Sequence, residues 1–416
     1  MIINKNEMKK NILLFAAALF LAAGFAKAET TNQSANKVSS ITNAYSGGDG
    51  SEQSPFLISS KADMEALATT VENGETYENA YFLLTRNLTG ANDTITTVIG
   101  KSYTLYFSGI FDGGKHEIAV DDKGVFGYIK NATIKNLGVS GCIKSYSYGT
   151  TYNFYAGAIC GSAYSSDIIN CYNQADISVK VKDRWMENSY VGGICGESAN
   201  GGNIINCYNS GSISGSGSFS TVGGVCGDGY ADFANCFAAN EAIINEGGMY
   251  GSGRISVPNS ADVTNCYALA SMLINGELVT NGAQSNKNGQ DEEITAFKNQ
   301  QWIIENLGWD FDDVWRIPTN GGFPVLKNAP DPITTQIVSS LPNNDVLIGF
   351  SAGCLTISGI LKDINITVLD MQGKTIFKQT SIRQEEVIQT SGWTKGMYLI
   401  IAQDRNNKII KKAVIY

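Results

Sequence analysis

Apolar and polar residues alternate along most of this chain in runs too short for helices. One segment differs: Ser60-Lys61-Ala62-Asp63 resembles a capping box, and Met64, Leu67, Ala68 and Val71 follow at i, i+3, i+4 and i+7. That spacing predicts one short amphipathic helix ending near Asn73-Gly74, suited to cover the open hydrophobic end of a stack of repeats. Elsewhere glycines and Asn/Ser clusters cut the chain every five to ten residues, which leaves no room for paired helices, and segments such as NIINCYN and SISG read as strands.

The strands recur. AGAICGSAYSSDIINCYNQADIS (156–178), VGGICGESANGGNIINCYNSGSIS (191–214) and VGGVCGDGYADFANCFAANEAI (222–243) share one plan, and a partial fourth copy over 248–270 contains DVTNCYALA. Each complete copy runs small-Gly-small-aliphatic-Cys-Gly, a polar turn, an Asn-Cys-aromatic triplet and a short Ile-containing strand. Cys160, Cys195 and Cys226 are 35 and 31 residues apart; Cys171, Cys207, Cys236 and Cys266 are 36, 29 and 30 apart. A period near thirty built from short strands predicts a β-solenoid, with each strand about 4.8 Å from its copy in the next coil. Identical residues then form ladders, and the inserted KVKDRWMENSY (180–190) reads as a bulging loop.

The central repeats resemble the GLUG-motif repeats of bacterial surface and secreted proteins, including flanking parts of some IgA-directed peptidases. FSGIFDGGKHEI (107–118) and GVFGYIKNATIKNLGVSGCI (124–143) resemble the opening coils before such repeats, and LGWDFDDVWRI with GGFPVL (307–326) resembles their exit. The likeness covers roughly residues 55–328 and implies a right-handed parallel β-helix over 51–330; the family shares no catalytic residues to carry over. After residue 330 the texture changes to seven candidate strands in about 80 residues, from VLIGF to KIIKKAVIY, the pattern of an immunoglobulin-like sandwich. Residues 331–416 also resemble the C-terminal sorting domains of type IX secretion substrates, through ITVLDMQGKTI, Gly396-x-Tyr398-x-Ile400 and Lys411-Lys412-x-Val414. That likeness implies passage across the outer membrane of a Gram-negative bacterium, with its export machinery as a partner.

The fold class expected is therefore all-β, a right-handed parallel β-helix followed by a C-terminal immunoglobulin-like β-sandwich. Composition agrees, with 45 glycines against 7 prolines. Residues 1–28 read as a signal peptide: Lys9 and Lys10 precede NILLFAAALFLAAGF, and Ala26-Lys27-Ala28 offers a cleavage pattern. Residues 29–50 are small and polar and read as a flexible lead-in. No later run is long enough to span a bilayer. The formal charge is −9, and the first 28 residues contribute a net +3, leaving −12; with no basic stripe, nucleic-acid binding is not expected.

Chemical candidates are few. There is no C-x-x-C and His116 is the only histidine, so a zinc site is not expected, nor is any other metal or cofactor. The expected arrangement is a structural cysteine ladder of Cys160, Cys195 and Cys226 and of Cys171, Cys207, Cys236 and Cys266, packed as small apolar groups in the interior. His116 near Asp112, Asp121 or Asp122 could serve as a general base, but a polar turn position is the plainer reading. Glu197, Asp228 and Asp232 each occur once and form no recurring set, so no catalytic residues are assigned. Asp312-Asp313 with Trp309 and Trp315 belong to a closing cap over the last coil rather than a sugar site. Asn170, Asn206, Asn235 and Asn265 read as amide ladders at turns. If the cysteines face in, Tyr172, Tyr208, Phe237 and Tyr267 face out as a candidate binding stripe. The function expected is a non-catalytic, adhesin-like surface protein contacting host glycoproteins or glycans, with a β-helical polysaccharide lyase or hydrolase, or a structural stalk, as alternatives.

Overall fold

The computed structural model describes residues 44–332, apart from 91, 148–152, 182–187, 259–261 and 320, together with the strands of 347–415 and parts of their connections. The signal peptide expected at 1–28 and most of the expected lead-in lie outside the described residues. The described chain is mostly β, with two short α-helices. Its largest sheet contains 21 strands, paired in parallel with one antiparallel exception.

The chain enters earlier than its polar composition suggests. Residues 44–50 are built into the first layer rather than forming a flexible lead-in, because Tyr45 is an aromatic that finds a core. Its ring lies 4.9 Å from Phe56 and 5.5 Å from Phe82, and its hydroxyl hydrogen-bonds Tyr77 at 2.6 Å. The helix α1 (Lys61–Glu72) starts on Ser60, whose side chain accepts from the Asp63 amide, and ends on Asn73. Asp63 in turn accepts from the Ser59 amide at 2.8 Å and the Ser46 hydroxyl at 2.8 Å. A cap of this kind contributes about 1 kcal/mol. The spaced residues Met64, Leu67, Ala68 and Val71 are its buried face.

Behind this entry the copies lie side by side. The strands Phe126–Lys130, Cys160–Ile169, Cys195–Ile205, Cys226–Gly229 and Ser256–Pro258 pair in parallel, so Phe126, Cys160, Cys195, Cys226 and Ser256 occupy one row. Tyr172, Tyr208, Phe237 and Tyr267 form a second row. Asn153–Ala156, Asn188–Gly192, Thr221–Gly223 and Gly251–Gly253 form a separate four-stranded parallel sheet. Of the bulging loop expected over 180–190, residues 180–181 and 188–190 are strand, the latter in register with Asn153–Ala156, and residues 182–187 lie outside the described residues.

Two backbone devices repeat with the copies. Asn136, Asn170, Asn206, Asn235 and Asn265 all have φ between 52° and 54°, a left-handed turn that asparagine tolerates. Each of the last four donates its side-chain amide to the side-chain oxygen of the asparagine before it, at 3.1, 3.0, 3.3 and 2.8 Å. Gly157, Gly192 and Gly223 stand three residues before the first cysteines, where a Cβ would come within 2.3, 2.1 and 1.8 Å of the carbonyl oxygens of Cys160, Cys195 and Cys226. Only glycine lets the chain turn that tightly. The seven cysteines of the two rows are buried and free; Cys142 is disulfide-bonded, and the side chain of Cys354 lies outside those described. Burial pushes the Cys195, Cys207 and Cys226 thiols up, which keeps them protonated and unreactive.

A return segment then crosses the copies. The helix α2 (Gln300–Leu307) is capped by the Asn299 side chain and ends on Gly308 at φ 67°. Trp309 donates its ring N–H to the Asn235 carbonyl at 3.0 Å, and Trp315 lies 6.2 Å from both Tyr172 and Tyr208. Farther on, Asn328 donates to the Gly114 and Lys115 carbonyls, and Asn87 donates to Asn328. The segment thus reaches from the last copies back to the first. The expectation that Trp309 and Trp315 sit over the last coil is corrected, because these rings face the aromatic row along the side.

Over 347–415 each of the seven candidate segments contains a strand, arranged in antiparallel sheets of three and four. Leu355, Ile357 and Ile388 from one sheet and Ile366, Val368, Tyr398, Ile400 and Ala402 from the other form a second buried cluster.

Candidate functional site

The residues expected to bind are not free to do so. Tyr172, Tyr208 and Phe237 are fully buried and Tyr267 is 3% exposed. The row stacks as expected, with ring centroids 5.5 Å apart for Tyr172 and Tyr208 and 4.6 Å for Tyr208 and Phe237. Its outer side is covered by the return segment: Trp309 lies 5.4 Å from Phe237, and Tyr208 donates its hydroxyl to the Pro324 carbonyl at 2.7 Å. Beneath Trp315, Tyr172 and Ser140 both donate to the buried carboxylate of Glu117. The exposed binding stripe is corrected to a buried seam. Apolar rings facing away from one side of a sheet gain more by packing under another layer than by meeting water.

His116 packs between Asn87 and Asn328. Its Nδ1 is 3.3 Å from the Asn87 side-chain oxygen, and partial burial lowers its pKa against an opposing backbone contact from Asn328. Asp112 is engaged elsewhere, accepting from Gly114 and Asn136 and facing Lys135 at 3.4 Å.

The open concave site lies on a different face, in a cleft of about 710 Å³. Three rows build it. Tyr155 and Tyr190 stack nearly parallel at 5.1 Å, in register, and Tyr128 meets Tyr155 edge-on at 5.7 Å. Tyr128, Ser162 and Glu197 share a second row, which Asp228 continues beyond the cleft lining. Lys130, Tyr164 and Ala199, two positions on and hence on the same side of each strand, share a third. The Lys130 ammonium is held over the rings of Tyr106 and Tyr164, 5.2 and 5.6 Å from their centroids. Tyr103 at the rim is 81% exposed and Tyr164 43%.

The carboxylates define the electrostatics. Glu197 accepts from the Ser162 hydroxyl at 3.0 Å. Burial raises its pKa, the Ser162 bond opposes that shift, and the neighbouring Asp228 adds to it. Asp228 is also raised by burial. Tyr190 is pushed up to about 12, chiefly by burial and then by Glu197 and Asp228. The earlier reading that the acidic residues form no recurring set is corrected: Glu197 and Asp228 occupy one row, and Asp232 stands in another with Asn203 and Asp167. Among the described residues no group of three or more His, Cys, Asp or Glu side chains is placed to hold a metal ion.

The signal for this site was present in the repeats. Tyr155 and Tyr190 each stand five residues before a first cysteine, and Glu197 and Asp228 each stand two after one. Ser162 and Thr221 fill the same places in other copies, which hides the rows from a search for identical residues. Tyr103 and Tyr106 precede the clear repeats, and Tyr128 stands two residues after Phe126, which fills the cysteine place in its strand.

Residues 187–214 match the GLUG motif, and residues 350–416 match the secretion system C-terminal sorting domain. The chain therefore contains a GLUG motif and a type IX secretion sorting tail. That tail indicates export to the cell surface or extracellular space and implies interaction with the secretion machinery. No helix among the described residues is long and apolar enough to cross a membrane. No curated protein matches the chain. A similar solved structure is that of a Bacteroides ovatus protein provisionally described as an immunoglobulin A1 protease, at 21% identity and a TM-score of 0.48, covering 68% of this chain and 95% of that one.

Proposed function

We propose that the protein is an exported, non-catalytic surface module that holds glycans, free or on host glycoproteins, in the tyrosine cleft. In this reading residues 1–28 are a signal peptide, residues 51–330 form a right-handed parallel β-helix of roughly eight coils, and residues 331–416 form an immunoglobulin-like sorting sandwich. The supporting observation is the cleft itself, an open face where tyrosine rings border the Glu197 carboxylate. Aromatic faces take the C–H side of a sugar ring, and carboxylates accept its hydroxyls.

The test is a binding screen of the full chain against glycans and matrix proteins, with Tyr103→Ala/Tyr164→Ala as the comparison. Wild-type binding that the double variant loses supports the reading, and equal binding by both refutes it. The rival reading, a polysaccharide-cleaving enzyme, draws support from Glu197 and Asp228 on adjacent strands, about 4.8 Å apart by strand spacing. A depolymerisation assay of wild type and Glu197→Gln separates the two, because a binding module releases no product.

A further inference from the structure

Resting on the glycan reading, we infer that the ligand is a linear, uncharged polysaccharide lying along the stacking direction, and that its site continues past the cleft to a second subsite at Tyr230 and Tyr250. The third row of the cleft, Lys130, Tyr164 and Ala199, does not stop at Ala199. Gly229 is in register with Ser198, so Tyr230 takes the next place in the row, fixed there by its amide donating to the Ser198 carbonyl at 2.9 Å. Tyr230 is 45% exposed. Tyr250 immediately precedes Gly251, which continues the row of Tyr190 and Thr221; it is 58% exposed and its ring lies 5.3 Å from Phe219. From Phe107, bridged to Ile129, to the strand of Asp228 the face spans four strand spacings, about 19 Å.

Which surfaces are free decides what can lie there. Tyr155 and Tyr190 stack on each other, so the facing side of each ring is taken. The most exposed rings are Tyr103 and Tyr164 at one end, the latter carrying Lys130 on one side, and Tyr230 and Tyr250 at the other. Between them lies Glu197, an acceptor for ligand hydroxyls, with the Asp228 carboxylate buried beside it. Among the described residues lining the cleft, Lys130 is the cation, and it is already held by two rings. A uronate or sulfated chain would meet the two carboxylates without a matching set of cations, which is unfavourable.

The experiment measures the affinity of the full chain for neutral glucan, mannan and xylan, for polygalacturonate and heparin, and for polylysine. It then follows a length series of the best neutral binder, from trisaccharide to octasaccharide. Affinity should rise about tenfold with length, since a longer chain engages both ends. Tyr230→Ala/Tyr250→Ala should remove that gain and leave trisaccharide binding unchanged. Tyr230→Phe/Tyr250→Phe, which keeps both ring faces, should restore it. Normal length dependence in the Ala variant, or tighter binding of the polyanions or of polylysine, would overturn the inference while leaving the cleft as a binding site. No binding of any polysaccharide would overturn the glycan reading as well.

Discussion

Two aromatic rows run along this protein, built by the same repetition and put to opposite uses. Tyr172, Tyr208, Phe237 and Tyr267 stack under the return segment and are closed to solvent. Tyr155 and Tyr190 stack on another face, with Tyr128 edge-on beside them, where no such segment crosses among the described residues and a cleft opens. Each row has a buried or half-buried carboxylate beside it, Glu117 under the first and Glu197 in the second. Stacking in register yields an aromatic ladder, and a ladder becomes core or open surface according to what the rest of the chain lays over it.

The largest expected effect comes from uncovering the closed row. Trp315→Ala removes a fully buried ring packed against Tyr172, Tyr208 and Trp309, and should cost about 3–5 kcal/mol in denaturant unfolding. A loss below about 1 kcal/mol would show that the row does not depend on its cover.

The next effect concerns pH. Glu117, Glu197 and Asp228 all have folded pKa values raised by burial above the ordinary 4.5 and 3.8. The native state therefore holds more protons than the unfolded one in the window above those values. The stability these groups contribute is complete below them and is lost as pH rises through the raised folded values. Thermal unfolding from about pH 4 to 7 should show falling stability for the wild type and a shallower fall for Glu197→Gln/Asp228→Asn. Superimposable slopes would mean that the open row's carboxylates are solvated enough to titrate normally.

The smallest effect belongs to the open row. Tyr164→Ala should change stability by no more than about 0.5 kcal/mol, since the side chain is 43% exposed, while weakening ligand binding in the cleft. A destabilisation comparable to that of Trp315→Ala would make the two rows equivalent as structure and remove the contrast.

Much of the architecture was legible in the chain because it depends on local geometry. Ser60 and the spacing after it specify α1, the Asn-Cys-aromatic triplets specify a left-handed turn, a buried thiol and a ring, and the period aligns the cysteine rows. The Ser256 place in the first cysteine row was missed because one hydroxyl replaces the thiol, and Tyr45 was missed because one buried ring sits in a polar stretch. At the candidate site the individual residues were visible but their neighbours were not. Glu197 and Asp228 become adjacent only when strands 31 residues apart pair.

The sequence by itself determined the repeat, the strand class, which side of its own strand each residue occupies, and the sorting tail. Those follow from covalent alternation and from motifs read within a few tens of residues. The tertiary structure alone decided which of the outward sides meets water. That choice rests on contacts such as Tyr208 with Pro324, 116 residues apart, where a distant segment gains by burying its own tryptophans on one ladder and leaves the other open.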